Sequence, residues 1–245
     1  MKSIKLSIVA ALLATTSIVS NVSADELEVS ANVAMTSNYI WRGMTQSDNA
    51  MAIQGGADIG YKGLYAGVWA SNVDFDSTEN NSIEVDLYFG YANEISGFSY
   101  DLGYCQYTYP GDTKGSNFGE AALSLGYDFK VAAVSAKYYL GVDTDEVAND
   151  AANGWEPGDG WEVGLSVPLP MDMSIDGTYG SYDNSGTLNQ TTNGLGDYYL
   201  VGLSKSVGKF DLSLAYTAMD YDSATGGHDG DGKEDNVVFT VGTSF

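Results

Sequence analysis

The sequence predicts an all-β protein, namely a transmembrane antiparallel up-and-down β-barrel of about twelve strands. Three observations predict it. Apolar residues recur at every second position along most of the chain, the connections between these segments are alternately short and long, and the chain ends on an aromatic residue. Alternation with a period of two is typical of strands with one apolar and one polar face. The 30 Gly and 18 Tyr residues favour strands and turns over helices.

The start of the chain has the features of a secretory signal peptide. A short basic stretch precedes an apolar run at 8–19, and small residues leading to Ala24 form a cleavage site. The run is shorter than the roughly 20 apolar residues of a membrane helix, which argues against an uncleaved anchor. We therefore expect a signal peptide at 1–24, cleaved after Ala24, and a barrel domain at 25–245.

Twelve segments carry the alternation. In one of them Ile83, Leu87 and Phe89 are apolar, and they alternate with polar or small residues such as Glu84 and Asp86. Each segment is close to the roughly 9–11 residues that a tilted strand needs to cross a bilayer. The predicted strands are 27–40, 51–61, 64–73, 82–92, 98–109, 118–128, 131–142, 161–169, 172–182, 197–207, 209–219 and 236–245.

The connections between the strands carry further information. Five are short, at 61–63, 93–97, 128–130, 168–171 and 207–209, and they alternate with six longer polar ones, at 41–50, 74–81, 110–117, 143–160, 183–196 and 220–235. A soluble β-sandwich has no reason to alternate in this way, whereas outer-membrane barrels have short periplasmic turns and long external loops. We expect the same here, with both chain ends on the periplasmic side. Whether a long loop folds into the lumen stays open on the sequence, and 143–160 is the best candidate.

The last strand ends on Phe245, with apolar residues at most alternate positions before it. A soluble β-protein can end on Phe by chance. A terminal aromatic on an alternating strand, however, resembles the signal read by the bacterial outer-membrane assembly machinery. We therefore expect Phe245 to be an assembly signal and that machinery to be a partner.

Aromatic residues cluster near the predicted strand ends, where amphipathic rings favour the membrane interface. The alternative is the general preference of aromatic residues for strands. The expected external girdle contains Tyr39, Trp41, Tyr107, Tyr109 and Trp161, and the expected periplasmic girdle contains Tyr61, Tyr127, Phe129 and Phe210.

Three stretches resemble a known family. They are 31–46 (ANVAMTSNYIWRGMTQ), 54–74 (QGGADIGYKGLYAGVWASNVD) and the segment that begins at Glu84 with EVDLYFGYANE. They are similar to the TorF family of porins, proteobacterial outer-membrane proteins once known only as conserved hypothetical proteins. The resemblance covers the chain after residue 24 and is densest at 31–120. It implies a small outer-membrane channel and brings no catalytic residues with it.

If the apolar faces of the strands point to lipid, the opposite faces point into the lumen. Carboxylates that line a pore favour cations over anions. The alternative is that the acids share protons or solubilise a plugged interior. The residues expected in the lumen or at its mouths are Glu28, Arg42, Asp58, Glu84, Asp86, Asp101, Glu120, Lys137, Glu162, Asp176 and Asp211, with Lys137 the clearest inward base and Arg42 at the outer mouth.

The predicted external loops are acidic. In the last one Asp229, Asp231 and Asp235 place oxygen ligands at alternating positions, as in part of a calcium loop, but the usual Gly and the final Glu of such loops are missing. A solvated acidic loop is the simpler interpretation. Calcium or magnesium ions loosely bound at these loops could also bridge them to lipopolysaccharide phosphates, because direct contact would be repulsive.

The residue inventory excludes several classes of function. A formal net charge of −23 argues against nucleic-acid binding, which needs clustered Lys and Arg. One Cys and one His cannot build a zinc site of the usual kind. The one histidine, His228, lies in a Gly-rich loop with no residue nearby to orient it, so a hydrolase of the Ser/His type is not expected. We expect no enzymatic activity and no bound cofactor.

These observations together favour an outer-membrane channel for the passive diffusion of small solutes, weakly selective for cations. Two alternatives stay open at this point. One is a structural or partner-binding barrel that passes no solute. The other is a secreted soluble β-protein, which would not be retained in the outer-membrane fraction.

Overall fold

A computed structural model describes residues 26–75, 82–111, 117–143, 158–183, 195–222 and 232–245. Within these residues twelve long strands form a closed antiparallel barrel, and two short strands form a separate hairpin. The strands are β1 (Glu28–Thr36), β2 (Ile40–Trp41), β3 (Met44–Thr45), β4 (Ala52–Tyr61), β5 (Leu64–Asn72), β6 (Ile83–Ile95), β7 (Phe98–Thr108), β8 (Phe118–Asp128), β9 (Ala133–Asp143), β10 (Asp159–Leu169), β11 (Met173–Asp183), β12 (Gly196–Val207), β13 (Phe210–Tyr221) and β14 (Lys233–Ser244).

Each barrel strand pairs with its neighbours in the sequence, and β1 closes the barrel against β14. The closing pairs run from Asn32 opposite Ser244 to Thr36 opposite Thr240. Backbone hydrogen bonds in both directions between Ala31 and Phe245, at 3.3 and 2.9 Å, extend the seam to the last residue. The predicted fold, a closed antiparallel barrel of twelve strands, is confirmed.

The connections lie as predicted. The five short turns lie at one end of the barrel, which we call the short-turn end, and the six longer connections lie at the other, the long-loop end. Three of the short turns contain two residues each. In Lys62-Gly63 and Ser96-Gly97 all four residues have positive φ angles between 50° and 92°, and in Gly208-Lys209 Gly208 alone has one, of 67°. Positive φ at the first or at both residues of a two-residue hairpin matches the twist of the flanking strands.

The two faces of the barrel wall differ in chemistry. Leu87 and Phe89 are 55% and 60% exposed on the outer face of β6, whereas Glu84 and Asp86 on its inner face are buried. Exposed Val, Leu, Ile and aromatic side chains continue around the other strands. The barrel therefore has an apolar outer surface and a polar interior, as a barrel that faces lipid requires.

Some predictions fall outside the described part of the chain. The predicted signal peptide at 1–24 lies there, as does most of loop 143–160. Among the described residues, no helix has the length and apolar character needed to cross a membrane.

Candidate functional site

The segment between β1 and β4 lies inside the barrel. We call residues 37–50 the inner segment; it contains the hairpin β2–β3, in which Trp41 pairs with Met44. Its side chains and backbone contact strands on opposite sides of the wall, including β6, β8 and β14. A segment can reach all of these strands only from the interior. Loop 143–160, the best candidate for an inward loop on the sequence, lies mostly outside the described residues; within them, the first long connection lies in the lumen.

A tight turn carries the inner segment into the lumen. Arg42 and Gly43, between β2 and β3, have φ angles of 50° and 84°. A Cβ atom on Gly43 would lie 2.5 Å from the backbone oxygen of Ala218 on β13. Glycine is therefore required at this position both for its backbone conformation and for the close approach to the wall.

Polar side chains anchor the inner segment to the wall and to itself. The Asn38 amide donates to the side-chain oxygen of Asn236 on β14 at 3.2 Å, and the Thr45 backbone N–H donates to Glu234 at 2.5 Å. Within the segment, the Ser47 hydroxyl accepts from the Tyr39 N–H at 2.9 Å. These bonds stabilise the segment although it has only four residues in a β-ladder.

Arg42 lies in a buried pocket of the wall. Its two terminal nitrogens donate to the two carboxylate oxygens of Glu120 on β8, each at 2.7 Å, and both side chains are at most 4% exposed. The carbon that joins these nitrogens lies 3.7 Å from the ring centre of Tyr139, 4.1 Å from that of Trp41 and 4.6 Å from that of Tyr182. Bidentate ion pairs and contacts with aromatic faces are both favourable for a guanidinium.

The electrostatics of the pocket keep Arg42 charged. Burial by itself lowers the pKa of the guanidinium, but the charge and hydrogen bonds of Glu120, together with Tyr139 and Tyr182, outweigh burial and hold that pKa well above its ordinary value. Tyr107 on β7 also donates its hydroxyl to Glu120, at 3.1 Å. We call the side chains of Glu120, Tyr107, Tyr139 and Tyr182 the guanidinium pocket.

Two further carboxylates lie buried at the same end of the barrel. Glu84 and Asp86 on β6 are 1% and 2% exposed. Tyr39 of the inner segment donates its hydroxyl to Oε1 of Glu84 at 3.2 Å, and burial, together with Glu84, raises the pKa of Tyr39 well above its ordinary value, so the hydroxyl stays a donor. Within the described residues, Oε2 of Glu84 and Oδ1 of Asp86 have no hydrogen-bond partner. Buried carboxylates without a partner attract cations or protons.

Nearer the short-turn end, tyrosines donate to inward carboxylates. Tyr65 donates to Asp101 at 2.8 Å, and Tyr88 donates to Asp58 at 2.5 Å. At the long-loop end, the Glu162 carboxylate accepts from the Tyr198 hydroxyl at 2.8 Å. These pairs line the interior with carboxyl groups that accept hydrogen bonds from neutral tyrosine hydroxyls.

The structure places all the predicted lumen carboxylates and Lys137 on the inward face of their strands. Lys137 lies opposite Glu162 in the β9–β10 register, with its ammonium 5.8 Å from the Tyr139 ring centre. Arg42, expected at the outer mouth, lies near the long-loop end but is buried and bonded to Glu120 rather than open to solvent. Serine hydroxyls bind two further inward acids, Asp176 and Asp211.

The predicted external girdle is wrong for four of its five members. Tyr39, Trp41, Tyr107 and Tyr109 are buried inside the barrel, where they pack around the inner segment. Trp161 alone lies on the outer face, 40% exposed and edge-on to the exposed Tyr179. The periplasmic set agrees better, because Tyr61, Tyr127, Phe129 and Phe210 are all exposed at the short-turn end.

The sequence analysis did not identify the packing of tyrosine rings over glycines on neighbouring strands. A Cβ atom on Gly67 would lie 2.4 Å from the ring of Tyr88, and one on Gly90 would lie 2.4 Å from the Tyr65 hydroxyl. The inward tyrosine rings therefore lie flat over positions where no side chain fits. The abundance of both residue types was the available signal, but the pairs become visible only in the strand register.

The calcium-like loop stays largely untested. Asp229 and Asp231 lie outside the described residues, and Asp235 lies on the outward face of β14. In the described part of the chain, no group of three or more His, Cys, Asp or Glu side chains is arranged to hold a metal ion.

Comparison with known proteins agrees with this architecture. The sequence model of a family described as "Bacterial protein of unknown function (Gcw_chp)" matches residues 21–245. No curated protein sequence matches the chain.

Solved structures with a similar fold include two porins and an enzyme. The NanC porin has 11% identity and a TM-score of 0.58, with 89% of this chain and 99% of that chain covered. The KdgM porin in complex with disordered oligogalacturonate has 10% identity and a TM-score of 0.53, covering 89% and 97%. Outer membrane phospholipase A from Escherichia coli has 12% identity and a TM-score of 0.50, covering 93% and 97%. At these identities the likeness is one of fold.

Proposed function

The chain belongs to the Gcw_chp family of bacterial proteins of unknown function, and we propose that it is an outer-membrane channel through which small solutes diffuse passively, with a preference for cations. The apolar outer surface supports a place in a membrane, and the shared fold of outer-membrane porins supports the outer membrane of a Gram-negative cell. The long-loop end would then face outward. The resemblance to the TorF family agrees with this proposal, and membership of that family stays a prediction.

The charge of the interior carries the proposed cation preference. Nine inward acids support this argument: Glu28, Asp58, Glu84, Asp86, Asp101, Glu120, Glu162, Asp176 and Asp211. Two bases face them, and Arg42 is already paired with Glu120. The decisive observation is that Glu84 and Asp86 are buried at the long-loop end with carboxylate oxygens that accept no hydrogen bond from the described residues. A cation that passes this end of the barrel is attracted by the excess of inward carboxylates, whereas an anion is repelled.

The inner segment makes the proposed channel narrow. It contacts strands on opposite sides of the wall at one level, so solutes would pass beside it rather than through a fully open lumen. A passage of this kind suits small solutes. The mechanism would be diffusion without energy input or a bound cofactor.

The test is single-channel recording of refolded protein in a planar bilayer with a salt gradient, which reports ion selectivity as a reversal potential. We expect stepwise conductance with a cation preference, and we expect Glu84→Gln with Asp86→Asn to reduce that preference. The matched control is Asp197→Asn with Asp235→Asn, which removes the same charge from the outward face. A folded barrel that carries no current would overturn the proposal.

A second candidate is a barrel that conducts nothing and acts as a structural or partner-binding protein. The anchoring of the inner segment to several strands favours it, because a well-held plug can close a barrel of this size. The same recording separates the two candidates.

Several partners remain proposals. Phe245 would be read by the outer-membrane assembly machinery, and loosely bound Ca²⁺ or Mg²⁺ would bridge the acidic loops to lipopolysaccharide. We also propose that the chain is not an enzyme, although outer membrane phospholipase A shares its fold. His228, the one histidine of the sequence, lies in a Gly-rich loop outside the described residues, so a Ser/His-type active site is not part of the proposal.

A further inference from the structure

The guanidinium pocket belongs to the barrel wall and not to the segment that fills it. Glu120, Tyr107, Tyr139 and Tyr182 project from four strands, β8, β7, β9 and β11, whose positions are set by the barrel hydrogen bonds. The Tyr139 hydroxyl is itself bonded to that of Tyr198 at 3.0 Å. The pocket is therefore preformed, and it does not depend on Arg42 for its shape.

The shape of the pocket selects a planar cation. Both oxygens of Glu120 accept from one guanidinium at 2.7 Å, and the rings of Tyr139 and Tyr182 flank it at 3.7 and 4.6 Å. A compact ammonium ion cannot make two parallel hydrogen bonds to a carboxylate and stack on a ring at the same time.

The charge at this end of the barrel requires a cation in the pocket. Three buried carboxylates, those of Glu84, Asp86 and Glu120, lie near the long-loop end, and Arg42 is paired with Glu120. If its guanidinium leaves, Glu120 becomes a third buried carboxylate without a cationic partner. Leaving one member of a buried ion pair alone is strongly unfavourable, so another cation of the right shape would be drawn in.

Arg42, which fills the pocket, is held by a hairpin with little β-ladder of its own. Arg42 has a φ angle of 50°, which is uncommon for a residue other than glycine, and it lies in a hairpin whose strands have two residues each. Each of the four strands that form the pocket is paired with a neighbouring barrel strand over ten or more residue pairs. The inner segment is thus less firmly held than the pocket it fills.

We propose that the guanidinium pocket is a binding site for guanidinium-type organic cations, and that Arg42 occupies it as a tethered ligand. A free alkylguanidinium that enters the lumen competes with Arg42 for Glu120 and loosens the inner segment. The inference rests on the proposed function in one respect: an organic cation must be able to enter the barrel from solution.

The test is calorimetric titration of the refolded Arg42→Ala protein in detergent with ethylguanidinium, which replaces the atoms that the substitution removes. We expect saturable binding, at least about tenfold weaker binding of ethylammonium, and weaker binding of ethylguanidinium to the unsubstituted protein, in which Arg42 competes. The matched control is Arg42→Ala with Glu120→Gln, which should lose saturable binding. Lys62→Ala removes a cation from a short turn away from the pocket and should bind as the unsubstituted protein does.

Three outcomes overturn the inference. They are equal saturable binding of ethylguanidinium and ethylammonium, saturable binding that survives Glu120→Gln, and a folded Arg42→Ala barrel that binds neither ion. If Arg42→Ala does not fold alone, refolding is repeated with ethylguanidinium or ethylammonium present. Recovery of the compact, fast-migrating barrel with ethylguanidinium alone supports the pocket, and recovery with both or neither overturns it. Because binding is measured without current, a barrel that binds but does not conduct overturns only the proposed channel.

Discussion

Replacing Gly90 with Ala tests whether the tyrosine rings inside the barrel require glycine beneath them. The new Cβ atom would lie 2.4 Å from the Tyr65 hydroxyl oxygen and 2.7 Å from the backbone oxygen of Leu102. The ring can move, but the backbone oxygen belongs to the β7 ladder and cannot move far. If the ring moves, it gives up the 2.8 Å hydrogen bond from Tyr65 to Asp101.

The expected magnitude follows from these contacts. Overpacking costs about 1–3 kcal/mol, and loss of a hydrogen bond to a charged acceptor costs about 1.5–3 kcal/mol. Alanine recovers about 0.5–1 kcal/mol over glycine in a strand. We therefore expect Gly90→Ala to lower the free energy of unfolding by about 2–5 kcal/mol.

The assay is urea-induced unfolding in lipid vesicles, followed by tryptophan fluorescence. The matched control is Gly177→Ala on β11, where the nearest atom to the new Cβ would be 3.8 Å away, so its effect should stay within about 1 kcal/mol. Tyr65→Phe keeps the ring and removes the hydrogen bond, and combining it with Gly90→Ala should cost less than the two single effects together. Equal stability of the Gly90→Ala and Gly177→Ala proteins would refute the reasoning.

Three further predictions concern the ion pair, the lumen and the seam. Glu120→Gln should lower the free energy of unfolding by about 3–5 kcal/mol in the same urea assay, because it leaves Arg42 buried without a partner; a change below about 1 kcal/mol would mean that the pair acts like a surface ion pair. The single thiol, Cys105, is on the inward face of β7, so its modification by a cationic thiol reagent, verified by mass spectrometry, should reduce single-channel current, and Cys105→Ser should abolish the effect; an unchanged current of the modified protein would contradict a conducting path past β7. Deleting Phe245 removes its two backbone hydrogen bonds to Ala31 and should lower the folded fraction recovered from outer membranes, as measured by electrophoretic migration without boiling, whereas normal recovery would count against Phe245 as an assembly signal.

The strand pattern could be predicted because it depends on local periodicity. A side chain on a strand faces one side or the other in strict alternation, so apolar residues at every second position identify both the strands and their lipid-facing side. Segment 118–128 was predicted with the bounds of β8, and 64–73 was one residue longer than β5. The inward direction of Glu84, Asp86 and Lys137 follows from the same rule.

The first predicted strand shows where this reasoning stops. The prediction extended it to residue 40, whereas β1 ends at Thr36 and the chain then turns into the lumen. Tyr39 and Trp41 continue an alternating pattern that is also typical of a strand end at the membrane interface. Their preference for the interior comes from Glu84, Tyr107 and Tyr182, which lie far away in the sequence.

The sequence by itself thus determined the class of the fold, the number of strands, the placement of short and long connections and the sign of the charge in the lumen, because each depends on the order of residues along a strand or turn. Only the tertiary structure decided which connection enters the barrel, that Arg42 pairs with Glu120 across 78 residues of chain, and which glycines lie beneath tyrosine rings. These features depend on which side chains the closed barrel brings to the same level of its interior. That is fixed by strand register and by the space inside the barrel, and neither is encoded in any local stretch of residues.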